Sequence, residues 1–385
     1  MYSIEGAAWK ARGRRVGVEG YNARVDREAV AAKLKRMAID LGFDRAGIAR
    51  LGTPAHADAF RGWLDRGDAA GMSYLRERAE ERLRPELLLD GARSALCVAQ
   101  QYAPTGEATT GDLWPRVARY ARGRDYHNSM GQRLRRLAAR IREAFPGCRT
   151  RTGVDTAPIL ERELAAAAGL GVFGKNTNLL HPQGGSWFLL GEVLLTLDLA
   201  PDRPLADLCG SCTACLDACP TGALPEPYRL DSNRCISYWT IEHRGAIPIE
   251  LRESIGDWVF GCDICQEVCP VNSPASCDNP EFEIAEARRD LDLIGLLTLD
   301  EEGYRARFRG SAMQRSRRDG LRRNAAVAMG NRRQERYVEA LSSALDDGSE
   351  VVREHAAWAL ECIDSPAARR ALGKAGALDR NHPAS

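Results

Sequence analysis

Cys209-Gly-Ser-Cys212-Thr-Ala-Cys215-Leu-Asp-Ala-Cys219-Pro220, followed downstream by Cys262-Asp-Ile-Cys265-Gln-Glu-Val-Cys269-Pro270, is the stretch on which the fold turns. The first run has the spacing C-x2-C-x2-C-x3-C-P, in which three closely set thiolates hold one iron–sulfur cubane and the fourth ligates a neighbouring cluster. The second run lacks its opening cysteine, with Val259 in that place, and Cys235 upstream supplies the missing thiolate. Crossing the fourth ligands predicts one 4Fe-4S cluster on Cys209, Cys212, Cys215 and Cys269, and a second on Cys235, Cys262, Cys265 and Cys219. Paired zinc ribbons also use C-x2-C pairs, but a structural zinc needs four thiolates and leaves two Cys-Pro endings unexplained.

Working outward, 385 residues with 44% hydrophobic content suit two or three domains with ordinary cores. The 54 Lys and Arg nearly cancel the 53 Asp and Glu, so any affinity for nucleic acid must come from local clustering. Cys97, Cys148, Cys277 and Cys362 are scattered, as expected of a reducing cytoplasm rather than a disulfide scaffold. No stretch approaches a membrane span. Arg14-Arg15 is followed by too polar a segment for an export signal, and residues 1 to about 25 are expected to be a disordered extension or a misassigned start.

The folded part is expected to begin at Asp26, a helix N-cap before Ala29, Val30, Leu34, Met37, Ala38 and Leu41. A strand through Ala46 to Ala49, a helix from Ala55 to Leu64 and an apolar run from Ala95 to Ala99 follow. A basic helix over Asn128–Ala144 and a strand over Arg149–Thr152 then lead to Asp155, at a junction before a helix predicted over Ala157–Ala168. Two roles are open to Asp155 on this reading: reactive group in a crevice, or helix cap. Ser186–Thr196 reads as a buried strand running into the cysteine segment.

The tail differs in kind. Leu321–Met329 and Val352–Leu360 align at a fixed offset with small alanines at matching positions, the pattern of a HEAT-type helix pair. The predicted organisation is α+β or α/β. It consists of an extension over 1–25, a catalytic domain over 26–200, a ferredoxin-like double-cluster domain over 201–290, and a helical repeat over 291–385. At the last junction Arg305, Arg307, Arg309, Arg315, Arg317, Arg318, Arg322 and Arg323 surround a single acid, Asp319, with Tyr304 and Phe308 interleaved. This run is either a solvated face or an RNA surface; Arg305, Arg307, Arg317, Arg318 and Arg322 are the predicted tRNA contacts.

Val154-Asp155-Thr156-Ala157-Pro158, Glu161-Arg162, Gly174-Lys175-Asn176-Thr177, Gly185-Ser186-Trp187, the cysteine motifs and the HEAT-like tail together resemble the epoxyqueuosine reductase family, across about residues 27 to 365. The resemblance implies cobalamin alongside the two 4Fe-4S clusters, and reduction of the epoxide of epoxyqueuosine, at the wobble position of tRNA, to the alkene of queuosine. It also implies Asp155 as proton donor, with Arg78, Asn176, Thr177, Ser186, Ser237, Cys262 and Asp263 around the cobalamin. Asp125-Tyr-His127-Asn-Ser-Met-Gly131 is one residue too long for the D-x-H-x-x-G motif, so cobalamin is expected to bind without a lower axial histidine. Lys175 is open to a phosphate role or a solvated one. The expected partners are tRNA and an external electron donor, with no membrane, for a cytoplasmic monomer. A corrinoid reductive dehalogenase and a ferredoxin-type electron-transfer module are the competing readings. The first is weakened by the missing export signal and the basic tail, the second by the large region preceding the clusters.

Overall fold

The computed structural model describes residues 26–102, 115–273 and 279–381. The predicted extension over 1–25 and Cys277 lie outside the described residues.

Helix α1 (Arg27–Ile39) starts at Asp26, whose carboxylate accepts the backbone N–H groups of Glu28 and Ala29 at 3.0 and 3.1 Å. Strand β1 (Arg45–Arg50), helix α2 (Ala57–Asp65) and strand β2 (Ser94–Gln101) follow. Next come helix α3 (Tyr126–Ala144), strand β3 (Thr150–Gly153), helix α4 (Glu161–Ala167) and strand β4 (Phe188–Leu195). The four strands form one sheet in the order β1-β2-β4-β3, antiparallel at every pairing. The domain is therefore α+β, and the crevice at the ends of parallel strands does not explain where Asp155 lies.

Successive strand residues point to opposite faces, and both faces are covered. Leu96, Val98, Val193 and Leu195 pack with Leu34, Leu134 and Ile141 under α1 and α3. Ala95, Cys97, Ala99 and Leu194 pack with Leu164, Ala165 and Ala168 around α4. This two-sided burial explains why the strands read as apolar runs rather than alternating ones.

In the cysteine segment two single-turn helices, Ala214–Asp217 and Ile264–Glu267, pack against each other. Trp258–Phe260 pairs in parallel with Arg116–Val117 and so stitches this segment to the first domain. The tail supplies α5 (Arg317–Arg332), α6 (Val338–Ala344), α7 (Glu350–Ile363) and α8 (Pro366–Asn381). Leu321, Ala325, Ala328, Leu341 and Ala356 share one core with Val117, Val259 and Phe260, so the repeat buries its apolar face against the cysteine segment. The helices α5 and α7 come close enough that a Cβ on Gly330 would stand 2.6 Å from the Trp358 ring. No helix among the described residues is long and apolar enough to cross a membrane.

Candidate active site and cluster-binding segment

Cys209, Cys212, Cys215 and Cys269 line one cavity of about 110 Å³, closed by Lys175, Asn176 and Leu180. Sequence-distant Cys269 thus joins the three close cysteines, as the Cys-Pro turn requires. Cys235, Cys262, Cys265 and Cys219 form the second group: burial pushes the Cys262 thiol up to about 12, Cys235 and Cys219 add repulsion from close by, and burial with Cys262 and Cys235 raises Cys265. Thiolates crowded in a buried place are unfavourable unless a cation compensates them, which is what an iron cluster does. The loops donate toward sulfur: Lys175 N–H to Cys209 Sγ at 3.4 Å and Ala223 N–H to Cys219 Sγ at 3.3 Å. Lys175 Nζ donates to the carbonyls of Gly210 and Cys212 at 2.7 and 2.9 Å. The lysine clamps a cluster loop through its ammonium group.

Asp155 sits in the loop between β3 and α4, with φ at +48°. A non-glycine residue held there costs about 1–3 kcal/mol, so its neighbours must enforce it. Glu161 does so by accepting the Asp155 backbone N–H. The predicted helix start at Ala157 is displaced to Glu161, and the N-cap position is Leu160. Asp155 is six residues upstream of that helix, which removes the capping role. Its side chain is 56% exposed and Oδ2 lies 2.9 Å from His127 Nε2. His127 Nδ1 in turn lies 2.7 Å from Asp125 Oδ1, and Asp125 N-caps α3 through the His127 N–H. Burial opposes charging His127, but the hydrogen bonds to Asp125 and Asp155 outweigh it and lift the imidazolium to about 9. The result is an Asp125–His127–Asp155 chain anchored at the start of a long helix and open at its aspartate end. His127 belongs to this site although only its place beside Asp125 at a helix start signalled it.

Around that mouth stand Tyr74, Tyr120 and Tyr126, each raised by burial first; Asp155 raises all three further. Arg82, buried, lies in the field of Tyr74 and Glu161, and its Nε and Nη1 have no hydrogen-bond partner among the described residues.

Of the residues expected around cobalamin, three are committed to the cluster loops. Asn176 Nδ2 donates to the Cys265 carbonyl at 3.1 Å, and Ser186 Oγ bonds Gln266 Oε1 at 2.9 Å. Asp263, its carboxyl pushed up to about 6 by burial, accepts the Arg119 N–H at 2.7 Å. These three side chains thus tie the cluster loops to the rest of the site. Arg78, Thr177 and Ser237 remain wholly or partly exposed.

The basic run divides in the same way. Arg322 is only 7% exposed, bonds Asp347 through both terminal nitrogens and donates to the Leu297 carbonyl at 2.7 Å. Arg323 is fully buried and donates to the carbonyls of Trp239, His243 and Gly245, tying α5 to the turn below it. Arg322 is therefore corrected from predicted tRNA contact to structural ion pair, because α5 lies inward. Arg305, Arg309, Arg315 and Arg317 are exposed, Arg305 paired with Glu301 at 3.0 Å and Arg315 with Glu242 at 2.7 Å; Arg307 and Arg318 are half-buried beside Asp290 and Asp319. Arg244 extends this positive patch next to Arg315 and Arg317. Arg315 stands 5.7 Å from the Tyr74 ring and within the field of Asp155, so the patch borders the mouth of the site.

A double-cluster iron–sulfur oxidoreductase with an appended helical repeat is the class these features define. Family models match as follows: "4Fe-4S double cluster binding domain" over 208–272, "Epoxyqueuosine reductase QueG, DUF1730" over 82–156, and "HEAT repeats" over 307–383. The epoxyqueuosine reductase of Xanthomonas campestris pv. campestris is 42% identical over 348 residues, covering 88% of this chain and 97% of its own. That of Escherichia coli is 37% identical over 341 residues, covering 87% and 90%. The Bacillus subtilis enzyme, solved with its catalytic aspartate loop swung out of the active site, superposes with a TM-score of 0.83 at 29% identity over 90% of this chain and 94% of its own. An epoxyqueuosine reductase solved with an epoxyqueuosine-modified tRNA stem-loop gives 0.81 at 31% identity over 90% and 93%. The chain belongs to the epoxyqueuosine reductase family, and its cysteine segment is a binding domain for two 4Fe-4S clusters.

Proposed function

We propose that this chain reduces the epoxide of epoxyqueuosine in tRNA to the alkene of queuosine, with two electrons and two protons, and that Asp155 is the proton donor. Beyond family membership, the observation that carries this reading is the Asp155–His127 pair, open at its carboxylate and flanked by the arginine patch. The epoxide oxygen develops negative charge as its carbon–oxygen bond opens, and a placed acid raises such a rate by about 100 to 10,000-fold. His127 holds Asp155 in orientation and shares its proton. Arg305, Arg315 and Arg317, with Arg244, suit phosphates of the stem-loop, and Tyr74 suits stacking on an exposed base.

Cobalamin fits the residues present. Arg82 offers two buried, unpartnered donors beside the site for amide or phosphate oxygens, and Arg78, Thr177 and Ser237 add accessible polar groups. When bound, cobalamin supplies two-electron chemistry at carbon that iron–sulfur clusters, passing single electrons, do not. Cys212, the exposed ligand of its group, marks the side that an external electron donor approaches. The working unit is taken to be one chain, acting in the cytoplasm where its tRNA substrate is found.

The test is anaerobic protein reconstituted with iron, sulfide and cobalamin and assayed on tRNA carrying epoxyqueuosine. Queuosine formation is expected; a fully loaded protein that leaves the epoxide intact overturns the reading.

A further inference from the structure

Cys235 and Cys262, both of the second group, come from separate chain segments. Cys235 stands just ahead of the turn Tyr238–Glu242, and Cys262 just past the strand Trp258–Phe260. The spacing of the cysteines along the chain does not fix how these two segments stand against each other. A single hydroxyl links them directly. Thr240, fully buried, donates through Oγ1 to the Ile236 carbonyl at 2.8 Å and accepts the Gly261 N–H at 2.9 Å. Ile236 follows Cys235 and Gly261 precedes Cys262, so one side chain bridges the residues next to both ligands. Gly261 holds φ at +68°, and a Cβ there would stand 2.5 Å from that of Ala118, so the peptide before Cys262 is confined on its other side as well.

Thr240 is itself held from the helical repeat. Its turn is closed by the His243 N–H on the Tyr238 carbonyl at 3.1 Å, a five-residue reach that is rare and recurs at functional sites. The Thr240 carbonyl accepts Ser316 Oγ at 2.6 Å, just ahead of α5, and Asn324 Nδ2 at 2.9 Å, within it. Asn324 Nδ2 also donates to the Val259 carbonyl at 2.8 Å, in the strand that delivers Cys262. Ser316 and Asn324 are both buried. A buried amide is unfavourable unless its hydrogen bonds are met, and Asn324 directs its amino group to the two segments that carry Cys235 and Cys262. A leucine there would fill the core of the repeat but would leave those segments without a fixed register.

We propose that Thr240 is a positioning residue for electron delivery. With Ser316 and Asn324 it fixes the Cys235 and Cys262 segments against each other and so sets the potential of the second cluster. The first long helix of the repeat is then part of the redox centre as well as the carrier of outward arginines. This rests on the cluster ligation given above. Cluster potentials respond to hydrogen bonds and dipoles close to sulfur, and the Gly261–Cys262 peptide is such a dipole. The same segment leads to the candidate active site. Asp263 follows Cys262 and accepts the Arg119 N–H at 2.7 Å, and the Phe260 ring stands 6.3 Å from that of Tyr120.

Thr240→Val keeps the shape and removes the hydroxyl, whereas Thr240→Ser retains it. In reconstituted protein, potentiometric titration followed by electron paramagnetic resonance reads each cluster, and the signal unaltered by Cys212→Ser belongs to the second. Thr240→Val should hold about eight irons and leave the first cluster unmoved. The reduced-to-oxidised ratio of its second cluster, at a fixed potential, should change by about tenfold. Its kcat should fall with tRNA affinity unchanged, and Thr240→Ser should restore the parental values. A merely structural contact would lower the unfolding temperature and leave both potentials in place. That result overturns the proposal, as does an equal shift of both clusters. Ser316→Ala, one contact farther from the ligands, decides the matter if Thr240→Val does not fold or load fully. It should give a smaller shift confined to the second cluster, and an unmoved second potential overturns the proposal. Fewer than about eight irons in the unmodified protein would remove the ligation reading, and this proposal with it. An unmoved second potential at full iron content removes this proposal alone.

Discussion

Asp155 and His127 divide one task between them. The aspartate faces the open mouth and the histidine, fixed to Asp125 at the first turn of α3, fixes the aspartate. Asp155→Asn keeps shape while losing the proton. It should fold, bind tRNA and cobalamin normally, and turn over about 100-fold slower or worse. Parental turnover in a variant with full cofactor content would remove Asp155 from the mechanism. His127 carries a pH signature. Its folded value, about 9, exceeds the ordinary 6.5, so its contribution to stability is fully present below about pH 6.5 and is lost as pH rises through about 9. His127→Gln should therefore lower the unfolding temperature more at pH 6 than at pH 9.5. Equal losses at the two values would mean that the imidazolium is not what the aspartates bind.

At the scale of elements, helix α5 shows how one sequence run serves two purposes. Its inward arginines hold carbonyls and Asp347, while Arg317 at its start and Arg305 and Arg315 before it look outward. Replacing Arg305, Arg315 and Arg317 with alanine should weaken tRNA binding and lower the slope of its salt dependence by about one for each phosphate no longer neutralised, with stability little changed. Arg322→Ala should do the reverse. It strands Asp347 and should cost about 3 kcal/mol in denaturant unfolding, leaving the salt slope of tRNA binding unchanged. If Arg322→Ala instead weakens tRNA binding at parental stability, the inward assignment of α5 is wrong. The arginine count and the scarcity of acids were visible along the chain, but which arginines point inward depends on what α5 packs against.

For the whole molecule, the two cysteine groups and the shared core of the repeat make cofactor content and folding interdependent. Anaerobic protein should hold about eight irons, two cubanes of four, and no stoichiometric zinc. Roughly one zinc and little iron by elemental analysis would end the redox reading. Cysteine spacing, the cap at Asp26, the apolar strands and the alanine-rich tail were determined by the sequence itself, because each is a local pattern whose period or spacing follows from backbone geometry and ligand reach. Only the tertiary structure decided that the sheet is antiparallel, that Asp155 is a left-handed loop residue bound to His127 rather than a helix cap, and that Asn176, Ser186 and Asp263 serve the cluster loops. Those facts join residues far apart in the chain, and what a polar side chain does there is set by which partners the packing brings within hydrogen-bond reach.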